Sequence, residues 1–185
     1  MGNVPKPDEE SKYLLPEDWK KFKAAVDDPI LRTMFDLSQC CGLRLNEALS
    51  LTKEKFDFPR GIVYVRTLKR KGNPVFPLDV RPDLMETIKE LCSNKSKDYR
   101  PFNYIPMTVW RRFKKAIKKA KLNERLSPHS LRHLCGLKLV KATGGNIIEI
   151  AKHLRHASSL SSEHYVHLSP IRRKEISESM WEMEE

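Results

Sequence analysis

The sequence predicts a mainly α-helical domain with one small antiparallel β-sheet, an α+β class. Three observations carry this. Apolar residues recur at helical spacing before residue 51 and again after residue 80. Between them, residues 55–78 switch to strand-like runs: Phe56 and Phe58, then Ile62-Val63-Tyr64-Val65, then Val75-Phe76-Pro77-Leu78. Lys71-Gly72-Asn73-Pro74 supplies turn chemistry between the last two runs.

The elements follow in order. Residues 1–15 are polar and hold Pro5 and Pro7, with Pro16 next, and read as a leader or linker. From Pro16 a helix begins, with Glu17 and Asp18 at its positive end and Trp19, Phe22 and Val26 as an apolar stripe. A second helix runs from Pro29 to Cys41 and stops at Gly42. Asn46 is expected to cap a short helix carrying Leu49. After the strands, helix returns over Arg81–Cys92, with Leu84, Ile88 and Leu91 on one face. Residues 93–106 form a loop. A helix over Thr108–Leu122 turns Trp110, Phe113 and Ile117 inward and shows arginines and lysines elsewhere. Ser127 and Pro128 start the next helix, which Gly144-Gly145 ends. Asn146 caps a helix with Ile147, Ile150 and Leu154 inside. Further short helices are expected over 160–167 and from Ser169-Pro170 onward.

At 185 residues with 39% hydrophobic content, one domain with a real core is expected. The formal charge of +11 points to a polyanionic partner, of which nucleic acid is the commonest. The helix over 108–122 has no acidic residue, so local i,i+4 pairing does not account for its cations. Arg111, Arg112, Lys115, Lys118 and Lys119 are therefore candidates to lie along phosphates. Cys40, Cys41, Cys92 and Cys135 show no metal-ligand spacing and read as small core residues of a chain in a reducing, intracellular compartment. No apolar run reaches membrane-spanning length, and no metal or cofactor is expected.

The chemistry concentrates between Ser127 and His167. His129 and Arg132 are three apart on one helical face, and Tyr165 stands near His156 and His167. A tyrosine hydroxyl, imidazoles and fixed guanidinium charges suit attack on a phosphodiester without a metal.

Three segments carry a resemblance. Cys41-Gly-Leu-Arg44-Leu-Asn-Glu47-Ala-Leu-Ser-Leu51, then His129-Ser-Leu-Arg132-His133, then His156 followed nine residues later by Tyr165, resemble in order and separation the three boxes of the tyrosine recombinases, or phage integrases. The resemblance spans about residues 20–170 and implies that family's catalytic-domain fold over 16–168. It implies Tyr165 as nucleophile, forming a 3′-phosphotyrosyl link and freeing a 5′ hydroxyl. Arg44 and Arg132 would clamp the non-bridging oxygens. Lys69 would protonate the leaving oxygen, with Lys71 on the same turn the alternative. His129 would exchange the Tyr165 proton and His156 would bond the phosphate. Glu47 would brace Arg44 or the neighbouring helix, and His133 would support the site. The partners implied are double-stranded DNA and further copies of the chain in a tetrameric synapse. A tail helix over 169–185 would dock on a neighbour or pack on the chain's own core.

Two positions depart from the family pattern. Cys41 stands where threonine is frequent. Arg155 stands where glycine is frequent, which implies either a changed turn or an added phosphate contact, so Arg155 joins Lys71 among the DNA-contact candidates. A topoisomerase of the same tyrosine chemistry, and a DNA-binding module without chemistry, remain as alternatives.

Overall fold

The computed structural model describes residues 13–67 and 74–156. Helix α1 spans Pro16–Ala25, with proline in its first turn and Glu17 and Asp18 beside the unpaired N–H groups. It buries Trp19, Phe22 and Ala25. The expected leader ends earlier than Pro16: Leu14 is fully buried, and Tyr13 meets His133 edge-on at 5.0 Å. Proline density marked the segment as linker, but Leu14 reaches the core and anchors residues 13–15.

Helix α2, Pro29–Cys41, is the centre of the fold. The Asp28 carboxylate accepts from the N–H groups of Ile30 and Leu31 at 3.0 and 3.1 Å, and the helix ends at Gly42, φ 59°. Leu31, Met34, Phe35, Leu37 and Cys41 are all buried, so the helix is enclosed on most of its circumference. Helix α3, Leu45–Leu49, follows at once. Its N-cap is Arg44, not the expected Asn46, because the Glu47 carboxylate accepts the Arg44 N–H at 2.9 Å.

A 3₁₀ turn at Lys53–Lys55 leads into strands β1 (Phe56–Asp57), β2 (Ile62–Arg66) and β3 (Val75–Asp79), antiparallel in the order β1-β2-β3. Val63 pairs with Leu78 and Val65 with Phe76, and Val63 and Val65 are fully buried. The sheet therefore turns one face to the core, as its alternation requires. Phe58 lies beyond β1 and stacks on Phe56 at 5.9 Å.

Helix α4, Pro82–Leu91, buries Leu84, Met85 and Ile88. Helix α5, Pro106–Lys119, begins two residues before the expected Thr108 and stops three short of Leu122. It buries Val109, Phe113, Ala116 and Ile117, while Trp110 is 46% exposed. Val109 rather than Trp110 heads the inward stripe, since 109, 113, 116 and 117 share one face. Phe113 joins Phe22 and Phe35 with ring centroids 4.7 and 5.5 Å away, tying α1, α2 and α5 together.

Helix α6, His129–Ala142, begins after Pro128, with no side-chain cap at that residue. Instead of the expected Ser127 cap, the Ser130 hydroxyl accepts the Ser127 N–H at 3.1 Å. Gly144 and Gly145, both at positive φ, turn the chain into α7, Ile147–Leu154, capped by the Asn146 side chain as expected. Cys135, Val140, Ile150 and Leu154 form a small apolar cluster joining α6 to α7. Among the described residues no helix is long and apolar enough to cross a membrane. The expected helices over 160–167 and 169–185 lie outside the described residues.

Candidate functional site

The site is assembled on one backbone turn. Gly42, left-handed at the end of α2, exposes its carbonyl to two guanidiniums. Arg132 Nη1 donates to it at 2.5 Å from the first turn of α6, and Arg155 Nη2 donates to it at 2.8 Å from the end of α7. Glycine is favoured here: at φ 59° a Cβ would sit 2.6 Å from Leu154 Cδ2 and 3.2 Å from Cys135 Sγ, so those side chains would have to shift. Arg132 Nη2 also donates to the Leu154 carbonyl, and Arg132 is 1% exposed. The two bonds use two of its five N–H groups and fix the plane of the guanidinium.

Glu47 is the second hub. Its Oε1 accepts from Arg44 Nη1 at 2.7 Å, and its Oε2 from the Arg44 N–H at 2.9 Å and Arg155 Nη2 at 3.0 Å. The Glu47 side chain is 2% exposed, that of Arg155 0% and that of Arg44 21%. Burial pushes the Glu47 carboxyl up, but the Arg155 charge, the Arg44 N–H and the Arg44 guanidinium outweigh it and hold the group below the usual carboxylate range. Glu47 thus braces Arg44 on a carboxylate that stays ionised.

Arg155 departs from the sequence reading. At φ 56° it keeps the tight left-handed helix end that a glycine would give, so the turn is unchanged. Its side chain faces inward, donating also to the carbonyls of Cys41 at 3.1 Å and His153 at 2.9 Å. A fully enclosed guanidinium presents no face to a phosphate, so the expected DNA contact through Arg155 is corrected to an internal ion pair.

The imidazoles surround this cradle. His129 is exposed at the start of α6 and meets His133 edge-on at 4.6 Å. His133, which Tyr13 also covers, lies one turn below it. His156 is half-buried just past Arg155, and its N–H donates to the Ala151 carbonyl at 2.9 Å. Burial, and then the Arg155 charge, push the His153 imidazole below its ordinary value. The structure therefore brings together Arg44, Glu47, Arg132, Arg155 and the segment leading to His156. Lys69, Lys71, Tyr165 and His167 lie outside the described residues.

The cations of α5 have partners the local sequence did not reveal. Lys119 reaches Asp27 at 2.5 Å and Lys115 at 3.4 Å, and Arg112 reaches Asp28. Lys114 donates to the carbonyls of Glu124 and Leu126. The acids come from the α1–α2 link, which crosses α5 in space. Three of the five expected phosphate contacts on this helix are thus engaged within the fold. Arg111 and Lys118 are exposed, with no acidic partner among the described residues.

The sequence marks Gly42 only as a helix stop and Cys40 only as a small core residue, whereas in the fold Gly42 is an acceptor for two arginines and Cys40 is half-buried close by. The Cys135 thiol donates to the Cys40 carbonyl at 3.6 Å. A hydrogen bond from the Cys41 thiol, reinforced by Arg81, draws the Cys40 thiol down to about 6. The adjacency Cys40-Cys41-Gly42 was the available signal. Among the described residues no three His, Cys, Asp or Glu side chains cluster as a metal site.

A helical domain with a three-stranded sheet holds arginines of two distant segments on one turn. The phage integrase family profile matches residues 12–172, and the chain belongs to that family. It is 27% identical over 161 residues to a tyrosine recombinase of Pseudothermotoga lettingae, covering 84% of this chain and 56% of that protein. Its fold is similar to that of XerA recombinase, at a TM-score of 0.73 and 21% identity, over 91% of this chain and 65% of that one. It is also similar to the catalytic domain of bacteriophage HP1 integrase, at a TM-score of 0.66 and 21% identity, over 85% of this chain and 88% of that one. The chain spans about half the length of the curated relatives it matches.

Proposed function

We propose that this chain is the catalytic portion of a site-specific DNA recombinase that works through a tyrosine nucleophile. The observation that carries the reading is the convergence of Arg44 and Arg132, one from each of two distant segments, on the turn at Gly42 through Glu47, Arg155 and the Gly42 carbonyl. Fixed cations of this kind stabilise charge that grows on non-bridging phosphate oxygens as a fifth bond forms. The Tyr165 oxygen attacks the phosphorus, a phosphotyrosyl bond forms, and the bond to the 5′ oxygen breaks. His129 takes the tyrosine proton, and Lys69 gives one to the leaving oxygen. His156 donates to the phosphate. A free tyrosine has a pKa of about 10, so near neutral pH the reaction needs that proton acceptor. Because the phosphoryl bond is conserved on the tyrosine, a second 5′ hydroxyl reverses the step without ATP. The catalytic portion covers residues 16–168, its substrate is double-stranded DNA inside the cell, and strand exchange uses further copies of the chain.

The test is covalent trapping. The chain and its Tyr165→Phe variant are incubated with nicked duplex DNA in the absence of magnesium and run on a denaturing gel. An adduct with wild type that is absent for the variant is expected. No adduct at concentrations where DNA is bound would sink the reading. Relaxation of a supercoiled plasmid without strand exchange would instead assign a topoisomerase.

A further inference from the structure

We propose that Arg155 is a positioning residue that supplies the counter-charge of Glu47 and so leaves the charge of Arg44 available to an anionic substrate. The inference rests on the reading of Arg44 as a phosphate-binding group. Arginine is the costly choice at this place. Its backbone is left-handed at φ 56°, where glycine is unstrained, and its guanidinium is enclosed, with Nε buried and unpartnered among the described residues.

What the arginine provides is visible at Glu47. The carboxylate carries one negative charge and touches two guanidiniums, Arg155 at 3.0 Å and Arg44 at 2.7 Å. Arg155 is fully buried and cannot meet a phosphate, whereas Arg44 is partly exposed. The trio therefore has one excess positive charge, and the exposed member carries it outward. Without Arg155, Glu47 and Arg44 form a neutral pair, and an approaching phosphate meets a cation already satisfied. The carbonyls of Cys41, Gly42 and His153 hold Arg155 in place, so it serves as a fixed internal charge. The identity of residue 155 thus sets the electrostatic strength of the site from beneath it.

The test separates charge from scaffolding. Wild type, Arg155→Met, Glu47→Gln and the Arg155→Met/Glu47→Gln double variant of the full chain are titrated calorimetrically with orthovanadate. Adduct formation on nicked duplex DNA is timed in parallel. Arg155→Met is expected to weaken vanadate binding about tenfold, and the double variant to bind severalfold more tightly than Arg155→Met, because the uncompensated acid has gone. A merely structural role for Arg155 predicts no such rescue. Arg155→Gly removes the same charge while relaxing the backbone, and covers the case in which the methionine variant does not fold. Vanadate binding unchanged in both Arg155 variants, a double variant as weak as the single one, or no saturable vanadate site in wild type would each overturn the proposal. Failure of wild type to form any adduct speaks against the recombinase reading instead, and the vanadate titration still decides this one.

Discussion

Arg132 and Arg155 donate to a single oxygen, the Gly42 carbonyl, from opposite ends of the α6–α7 pair. One α2 terminus therefore orients one arginine expected to touch substrate and one that cannot. Gly42→Ala should break this arrangement. The added Cβ meets Leu154 and Cys135 inside contact distance at φ 59°. The left-handed conformation costs about 1–2 kcal/mol and overpacking about 1–3 more. A loss of roughly 2–5 kcal/mol in urea unfolding is expected. A variant within about 0.5 kcal/mol of wild type would mean that the turn is not built as described.

The Glu47 carboxyl makes stability depend on acid. Its folded pKa lies below the ordinary 4.5. The ionised carboxylate therefore contributes fully above 4.5, and the contribution drains away as pH falls from there through the folded value. Wild type should show a falling urea midpoint over that window, and Glu47→Gln a flatter one from a lower starting stability. At neutral pH the variant leaves two cations without their acid, at a cost of about 3–5 kcal/mol. Equal acid slopes in the two proteins would contradict the ion-pair geometry.

Cys40 should be the reactive thiol of the chain. The Cys41 thiol and the Arg81 charge favour its thiolate, drawing it to about 6, while burial pushes Cys135 up to about 12. Iodoacetamide labelling followed by mass spectrometry should modify Cys40 first, with a rate that climbs through pH 6 and levels by pH 8. Labelling of Cys135 before Cys40, or a midpoint near 9, would refute the assignment.

The α5 cations should divide into two groups in DNA binding. Arg111→Ala and Lys118→Ala should each weaken affinity for duplex DNA and lower the steepness of its salt dependence by about 0.9. Lys119→Ala should change both less, since Asp27 already neutralises that ammonium. The measurement is fluorescence anisotropy across a salt series. A uniform loss over all three would mean that DNA displaces Asp27.

How much of this was legible depended on how local the cause is. The Asn146 cap and the Gly42 stop act within one turn, and their chemistry is readable from neighbouring residues. Bracing of Arg44 by Glu47 was one of two roles that the family resemblance implied, and the fold selects it by setting the pair 2.7 Å apart. Asp27 pairing with Lys119 was not, since the two are 92 positions apart and only the packing of α1 on α5 joins them. Likewise, nothing beside Arg155 in the chain says that it turns inward. That follows from carbonyls at 41 and 42 and a carboxylate at 47, which the folded α2–α3 corner supplies. Leu14 shows the same limit, as its burial is decided by a pocket made from elsewhere.

The shared carbonyl at Gly42 has a consequence for how the domain fails. Core packing and the placement of Arg132 and Arg155 hang on the same corner, so thermal fraying there should release both arginines before the helices melt. Amide exchange at Leu43, whose N–H closes onto the Ser38 carbonyl at 3.0 Å, would then track the fraction of competent molecules. Loss of function on warming should precede loss of helix, and a ligand that grips Arg44 should slow that exchange from a distance.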